Sequence, residues 1–141
     1  MIAVTVMLDV AFHAGRAATV SAADIAERIG LARRGMEPLL QSLSRAGLLE
    51  SVRGPRGGYR LGRPRRDILV SEVVAVALSD ETEAADGPSG RLQEAVVERL
   101  WAELDEQAMA RLAGLSLDDL LRRAAAAGLR RPAAEPITFA I

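Results

Sequence analysis

All eighteen basic residues of the 141-residue sequence are arginines, and ten of them fall between Arg28 and Arg66 against only two acids, Glu37 and Glu50. A guanidinium stays charged at every physiological pH. Its planar fork of donors matches phosphate oxygens and the base edge of guanine. Arg33, Arg34 and Arg45 punctuate one polar stretch with Glu37 and Gln41 between them, and Arg53, Arg56 and Arg60 surround the run Gly54-Pro55-Arg56-Gly57-Gly58. These types at these spacings offer noncovalent recognition of a polyanion. Covalent chemistry finds little support. There is no cysteine, which removes disulfides, zinc thiolates and thiol catalysis, and the single histidine, His13, has no serine partner motif. The glycine-rich run lacks the preceding strand and following helix that a phosphate-binding Walker loop needs. The sequence reads as a non-enzyme.

Two helices and a hairpin must position the arginines. Ser21 is placed to cap a first helix, with Asp24 three residues on and Ile25, Ala26 and Ile29 as its apolar face. Gly30 stops that helix, because a left-handed residue costs glycine least. A second amphipathic helix follows, with Met36, Leu39, Leu40 and Leu43 inward. Pro38 is best tolerated in a first helical turn, so the spacing predicts a regular helix from about Gly35, with Arg33 and Arg34 at its entry. This is the pattern of a DNA-binding helix-turn-helix, whose second helix enters the major groove N-terminus first. An ordinary αα-hairpin is the plainer alternative. Beyond the stop at Ala46-Gly47, Leu48 to Val52 read as a strand and Tyr59 to Leu61 as its return. Gly57 and Gly58 permit positive φ and close approach of the backbone to a partner, and Pro55 stiffens the tip. A solvated turn would also suit this connection. A basic tip attached to a basic helix instead suggests a wing that probes a narrow, electronegative minor groove. The expected DNA-facing set is Ser21, Arg33, Arg34, Gly35, Glu37, Gln41, Arg45, Arg53, Arg56, Gly57, Gly58, Tyr59 and Arg60.

The runs V-T-V-M-L-D-V-A-F-H, I-A-E-R-I-G-L, M-E-P-L-L-Q-S-L-S-R-A-G-L-L and, above all, S-V-R-G-P-R-G-G-Y-R-L resemble the Rrf2 family, the IscR-, NsrR- and CymR-like winged-helix transcription regulators of bacteria. The likeness is strongest from Ile25 to Leu61 and looser over most of the chain. It implies a homodimer that binds a palindromic operator, usually as a repressor and often under a redox or metabolic signal. It also implies departures. Members commonly carry a large aromatic side chain where Gly35 stands, which bears on operator preference. Cluster-binding members place three cysteines in and after the region of Asp80 to Gly90, where this chain has acids, glycines and a proline. No iron–sulfur cluster and no other cofactor is therefore expected. Members also tend to have a short basic lead-in before the first helix. Here Met1 stands almost inside it, as a truncated or misassigned start would leave it.

The remaining chain supplies the frame. Its length fits one domain, and 50% hydrophobic but only 3% aromatic residues require a core of alanine and branched aliphatic side chains. Ile2 to Ala14 is an apolar helix with Val4, Met7, Leu8, Ala11 and Phe12 available to the core. His13 lies one turn after Asp9, and a nearby carboxylate accounts for it better than metal binding does. No metal ligand set is expected. Arg63 to Asp67 reads as a loop, solvated or touching phosphate, and Ile68 to Leu78 as a short helix closing the back. Asp80, Glu81, Glu83 and Asp86 suit a mobile acidic loop more than a hard-cation site. Ser89 to Ala113 is the longest helical pattern. Its Leu92, Val96, Val97, Leu100, Trp101, Leu104, Ala108 and Leu112 form a face wider than a coiled-coil seam, and the resemblance supplies a partner subunit for it. Leu115 to Ala127 reads as a last helix capped by Ser116, and I-T-F-A-I in the tail as an edge strand or irregular chain. The domain plan is thus a winged helix-turn-helix over residues 1–79, an acidic loop over 80–90, a dimerisation helix with a short C-terminal helix over 89–131, and a tail over 132–141. The expected fold is mainly α with a small β-hairpin wing. Its partners are double-stranded DNA, a second copy, and an unidentified small-molecule or protein effector. No transmembrane or signal pattern is present, so a cytoplasmic protein is expected. A winged helix that has lost DNA binding and acts as a protein-interaction module is the competing function.

Overall fold

The computed structural model describes residues 1–15, 18–81 and 90–131. The expected acidic loop, apart from its ends, the Ser89 cap and the tail of 132–141 lie outside the described residues. Six α-helices and one antiparallel hairpin make up the described chain: α1 Ile2–His13, α2 Ala22–Ile29, α3 Arg33–Arg45, β1 Leu49–Val52, β2 Gly58–Leu61, α4 Val70–Glu81, α5 Glu98–Ala113 and α6 Leu117–Ala126. This is the mainly helical, winged architecture expected.

Helix α1 is the hub. Val6, Met7 and Val10 are completely buried, and Ile25, Met36, Leu40, Leu43, Leu48, Ile68 and Leu117 join them in one core. The elements α2, β2, α4 and α6 thus pack directly onto one helix, and α3 and β1 complete the same core. Val6 and Val10 were not expected inside. Enclosure of α1 by α2, α4, α6 and the hairpin buries more than a single face. Leu78 departs in the other direction, since it is half exposed rather than closing the back of the domain.

Glycine terminators set the turns. Gly30 takes φ +70°, with Leu31 N–H donating to the Ala26 carbonyl and Gly30 N–H to that of Glu27; Gly47 at φ +74° repeats the pattern after α3. Both are Schellman ends, which satisfy carbonyls a helix terminus leaves open. Ser21 accepts from the Asp24 amide at 3.1 Å, completing the expected cap. Helix α3 begins at Arg33, not near Gly35, and Pro38 therefore sits in its second turn. An initial Gly35 N–H to Ala32 carbonyl bond starts the helix early. Only the amide that Pro38 lacks is forgone.

The hairpin pairs Leu49 with Leu61, Glu50 with Arg60, Ser51 with Tyr59 and Val52 with Gly58. Val20 adds a third, one-residue rung by exchanging both backbone bonds with Tyr59 at 2.8 and 2.9 Å. That rung explains Gly58: a Cβ there would lie 2.5 Å from the Val20 carbonyl oxygen, at φ +156°. Gly35, by contrast, lies in open helix with nothing near its missing Cβ. Gly58→Ala should cost about 2 kcal/mol or more, whereas Gly35→Ala should add about 0.5–1 kcal/mol by helix propensity. Urea unfolding of the two variants checks the opposite signs.

The chain then passes a 3-10 turn at Arg65–Asp67 into α4. Beyond the undescribed segment it is helical from Arg91 to Ala113, with a widened π turn at Gln93–Val97 running straight into α5. Helix α6 then returns. Leu69 and Ser116 form an antiparallel bridge, and Ser116 with Asp119 makes a full capping box. Completely buried Leu117 thus belongs to the winged-helix core, although the sequence pattern groups α6 with the dimerisation helix.

Candidate nucleic-acid interface

On α3 the buried residues Met36, Leu40 and Leu43 belong to the core and the helix packs on α2, β1 and α4, which leaves Arg34, Glu37, Gln41 and Arg45 as an exposed stripe. Their spacing of three or four residues keeps them on one side of the helix. Arg34 makes no hydrogen bond or ion pair among the described residues, so its guanidinium is available. Arg33 leans on Glu37 at 3.4 Å, and Arg45 donates to the Ser42 hydroxyl at 3.1 Å. The Arg33–Glu37 pair is an exposed ion pair of a kind that contributes little, and Ser42, unlike Arg45, is buried. Gly35 adds no side chain to the stripe.

The wing presents Arg53 and Arg56 at its tip, exposed and without side-chain partners among the described residues. The tip is nonetheless held in place. Gly57 N–H donates to the Gly54 carbonyl at 2.9 Å, and the Thr19 hydroxyl donates to the Arg56 carbonyl at 2.7 Å. Thr19 and Val20 were missed as supports of the wing, because no local signal links them to a hairpin nearly forty residues away. Arg60 is different. It forms a bidentate pair with Glu50 across the hairpin, at 2.8 and 2.9 Å, and its two hydrogen bonds draw the Glu50 carboxyl below the usual range. Tyr59 packs against the core, and Gly57 and Gly58 make room for neighbouring backbone. These three serve the wing's own construction, as Ser21 serves α2.

Ion pairs orient the reading head. Arg28 on α2 grips Asp9 on α1 in a bidentate pair, at 2.9 and 2.7 Å, fixing the angle at which α2 carries α3. His13 Nδ1 meets the same Asp9, 3.0 Å from its carbonyl oxygen and 3.3 Å from its carboxylate. Behind the wing, Glu72 accepts from the Leu69 amide at 2.9 Å and from Arg63 at 2.8 Å. These bonds, the amide first, hold its carboxyl below the ordinary glutamate range, and the Ser116 amide and hydroxyl do the same for Asp119. A carboxyl depressed in the folded state stabilises the protein fully above its unfolded value, about 4.3 for Glu and 3.9 for Asp. That stabilisation is lost as pH falls through the lower folded value. Urea midpoints should therefore be level from pH 7 to about pH 5 and decline below it, with a shallower decline in Glu72→Gln.

Residues 1–123 match the Rrf2 family, described as "Iron-dependent Transcriptional regulator". The IscR HTH-type regulator of Vibrio atlanticus is 39% identical over 125 residues, covering 85% of this chain and 70% of that protein. An HTH-type regulator of Azotobacter vinelandii known as ORF2 is 44% identical over 124 residues, covering 86% and 75%. Among solved structures, T. potens IscR superposes with a TM-score of 0.71 at 34% identity, over 92% of this chain and 88% of that one. CymR, the global cysteine regulator of B. subtilis, gives 0.65 at 26% identity, over 86% and 91%.

The family description raises iron, and the donors here do not fit it. The sequence has no cysteine, its only histidine is engaged with Asp9, and no group of three His, Cys, Asp or Glu side chains converges among the described residues. Iron–sulfur clusters need thiolates, with histidine only as a partial substitute. What this chain shares with its relatives is the reading head and the fold that carries it. It belongs to the Rrf2 family and is a DNA-binding transcriptional regulator.

Proposed function

We propose that the chain acts in the cytoplasm as a homodimeric repressor of a palindromic operator, and that it does so without an iron–sulfur cluster. Arg34, Gln41 and Arg45 on α3 meet the major groove, while Arg53 and Arg56 at the wing tip meet phosphate and minor groove. The observation that carries this reading is the set of guanidiniums without partners among the described residues, Arg34, Arg53 and Arg56, displayed on the two elements a winged helix applies to DNA. Arg33 and Glu37 border the groove as a pair. Arg60 contributes by keeping the hairpin rigid.

Dimerisation is supported by the helical run from Arg91 through α5, where Leu92, Val96, Val97, Leu100, Trp101 and Leu104 are all exposed, Trp101 at 59%. Ala108 lies exposed on the same helix and Leu112 is half-buried. A row of large apolar side chains on one helix marks an interaction surface. Two-fold pairing would set half-sites about one helical turn, roughly 34–36 Å, apart or somewhat more. No described helix is long and apolar enough to cross a membrane.

The test is a fluorescence-polarisation titration of a random duplex at low salt, repeated at rising salt. Binding that weakens steeply and linearly on a log–log plot supports the reading. No binding at 50 mM salt would overturn it in favour of a protein-interaction module.

A further inference from the structure

Away from the reading surface, a cleft of about 660 Å³ opens where the end of α1, the chain leaving the wing and the start of α6 meet. Arg60, Arg63, Arg65, Arg66, Arg122 and Arg131 line it, with Asp118 as the only carboxylate among the lining residues. Asp118 receives both Arg65 and Arg122, each at 2.7 Å, and the exposed Arg122 also reaches Asp119 at 3.6 Å. Arg60 and Arg63 are turned toward Glu50 and Glu72. Arg66 has its nearest carboxylate, Asp67, at 3.9 Å, and Arg131 donates to the Ala11 carbonyl at 2.7 Å without an acidic partner among the described residues. The cleft thus holds guanidiniums from three separate stretches of chain and too little negative charge on its walls. Its size suits a small ligand.

We infer that this cleft binds a compact polyanion, a small di- or tricarboxylate or a phosphate ester, and that the bound anion is an effector of DNA binding. Charge-assisted, bidentate contacts to Arg122 and Arg131 anchor it. The coupling to DNA runs through Arg65. Its ion pair with Asp118 ties the turn that follows the wing to α6, and an anion that draws Arg65 from Asp118 changes how the base of the wing is held. By linkage, such an anion and DNA alter each other's affinity by the same factor. The effector half of the inference rests on the DNA-binding function proposed above, whereas the binding half does not.

The full chain is tested with citrate and with pyrophosphate, each against sodium chloride of matched ionic strength. Four proteins are compared: wild type, Arg122→Ala/Arg131→Ala, Arg122→Ala and Arg56→Ala. In wild type and in Arg56→Ala, at least one anion should raise the unfolding midpoint saturably by about 2–5 °C. The double variant, with Arg122→Ala alone as a milder control, should lose that rise while keeping its duplex affinity in sodium chloride. The anion that binds should change wild-type duplex affinity about fivefold or more and leave the double variant unmoved. Citrate acting without pyrophosphate identifies a carboxylate ligand, and the reverse identifies a phosphate ester. No saturable shift with either anion, or a shift that survives the double substitution, would overturn the site. Binding without a change in duplex affinity would overturn the effector role. Failure of wild type to bind duplex, with the anion shift intact, would instead count against the proposed function.

Discussion

Simultaneous replacement of Arg34, Arg53 and Arg56 by alanine is expected to lower duplex affinity by about two to three orders of magnitude at 100 mM salt. Each is exposed and its guanidinium has no partner among the described residues, so none has a charge that they already neutralise. In a dimer the substitution removes six cations, and each phosphate contact releases about 0.9 counterions, so the log–log salt slope should become shallower by about five. A single Arg56→Ala variant should reduce the slope by about two for the dimer and weaken binding in proportion. Thermal stability should be unchanged in all of them, since these side chains hold nothing together. Arg60→Ala gives the contrasting control. It strands Glu50 on the hairpin, and its effect should show in wing stability as well as in affinity. Salt-dependent polarisation titrations with parallel melts check the set. An unaltered slope in the triple variant would place the DNA elsewhere on the molecule.

Trp101→Asp is expected to raise the dimer dissociation constant by two orders of magnitude or more, as loss of a central aromatic anchor does. The charge also prevents the face from closing over it dry. The side chain is 59% exposed in the protomer, flanked by Leu100 at 48% and Leu104 at 49%, so the subunit's own fold should survive. Sedimentation velocity at micromolar concentration should show a dimer becoming a monomer with an unchanged far-UV spectrum. Affinity for a two-half-site duplex should drop with it, because a monomer engages one half-site. A wild-type chain that sediments as a monomer at that concentration would remove the basis of the two-fold operator.

The two expectations differ in how far they could be read in advance. The stripe on α3 was legible because helix period, capping and glycine stops are local signals: Ser21, Gly30, Gly47 and the buried Met36, Leu40 and Leu43 stand where the pattern places them. The helix start was less legible. Pro38 points to Gly35, but the Gly35 N–H to Ala32 carbonyl bond opens the helix at Arg33 and leaves Pro38 in the second turn with one amide missing. The α5 face was visible as a broad apolar stripe. That its main packing outside its own helical run is on α4 among the described residues, with its large apolar side chains exposed, follows from the tertiary structure.

The sequence by itself determined a helix-turn-helix with a basic wing, a long apolar helix behind it and a donor set unsuited to an iron–sulfur cluster. Each depends on residue type or on neighbours a few positions apart. Only the tertiary structure decided which arginines are free. Arg28 is spent on Asp9, Arg60 on Glu50 and Arg65 on Asp118, while Arg34, Arg53 and Arg56 are left open among the described residues. It also decided that Gly58 makes room for the Val20 backbone, and that Leu117 returns α6 to the winged-helix core. Most of these pairings join residues well separated along the chain. Which acid reaches which guanidinium is set by how α1 is surrounded, and no short-range pattern encodes that.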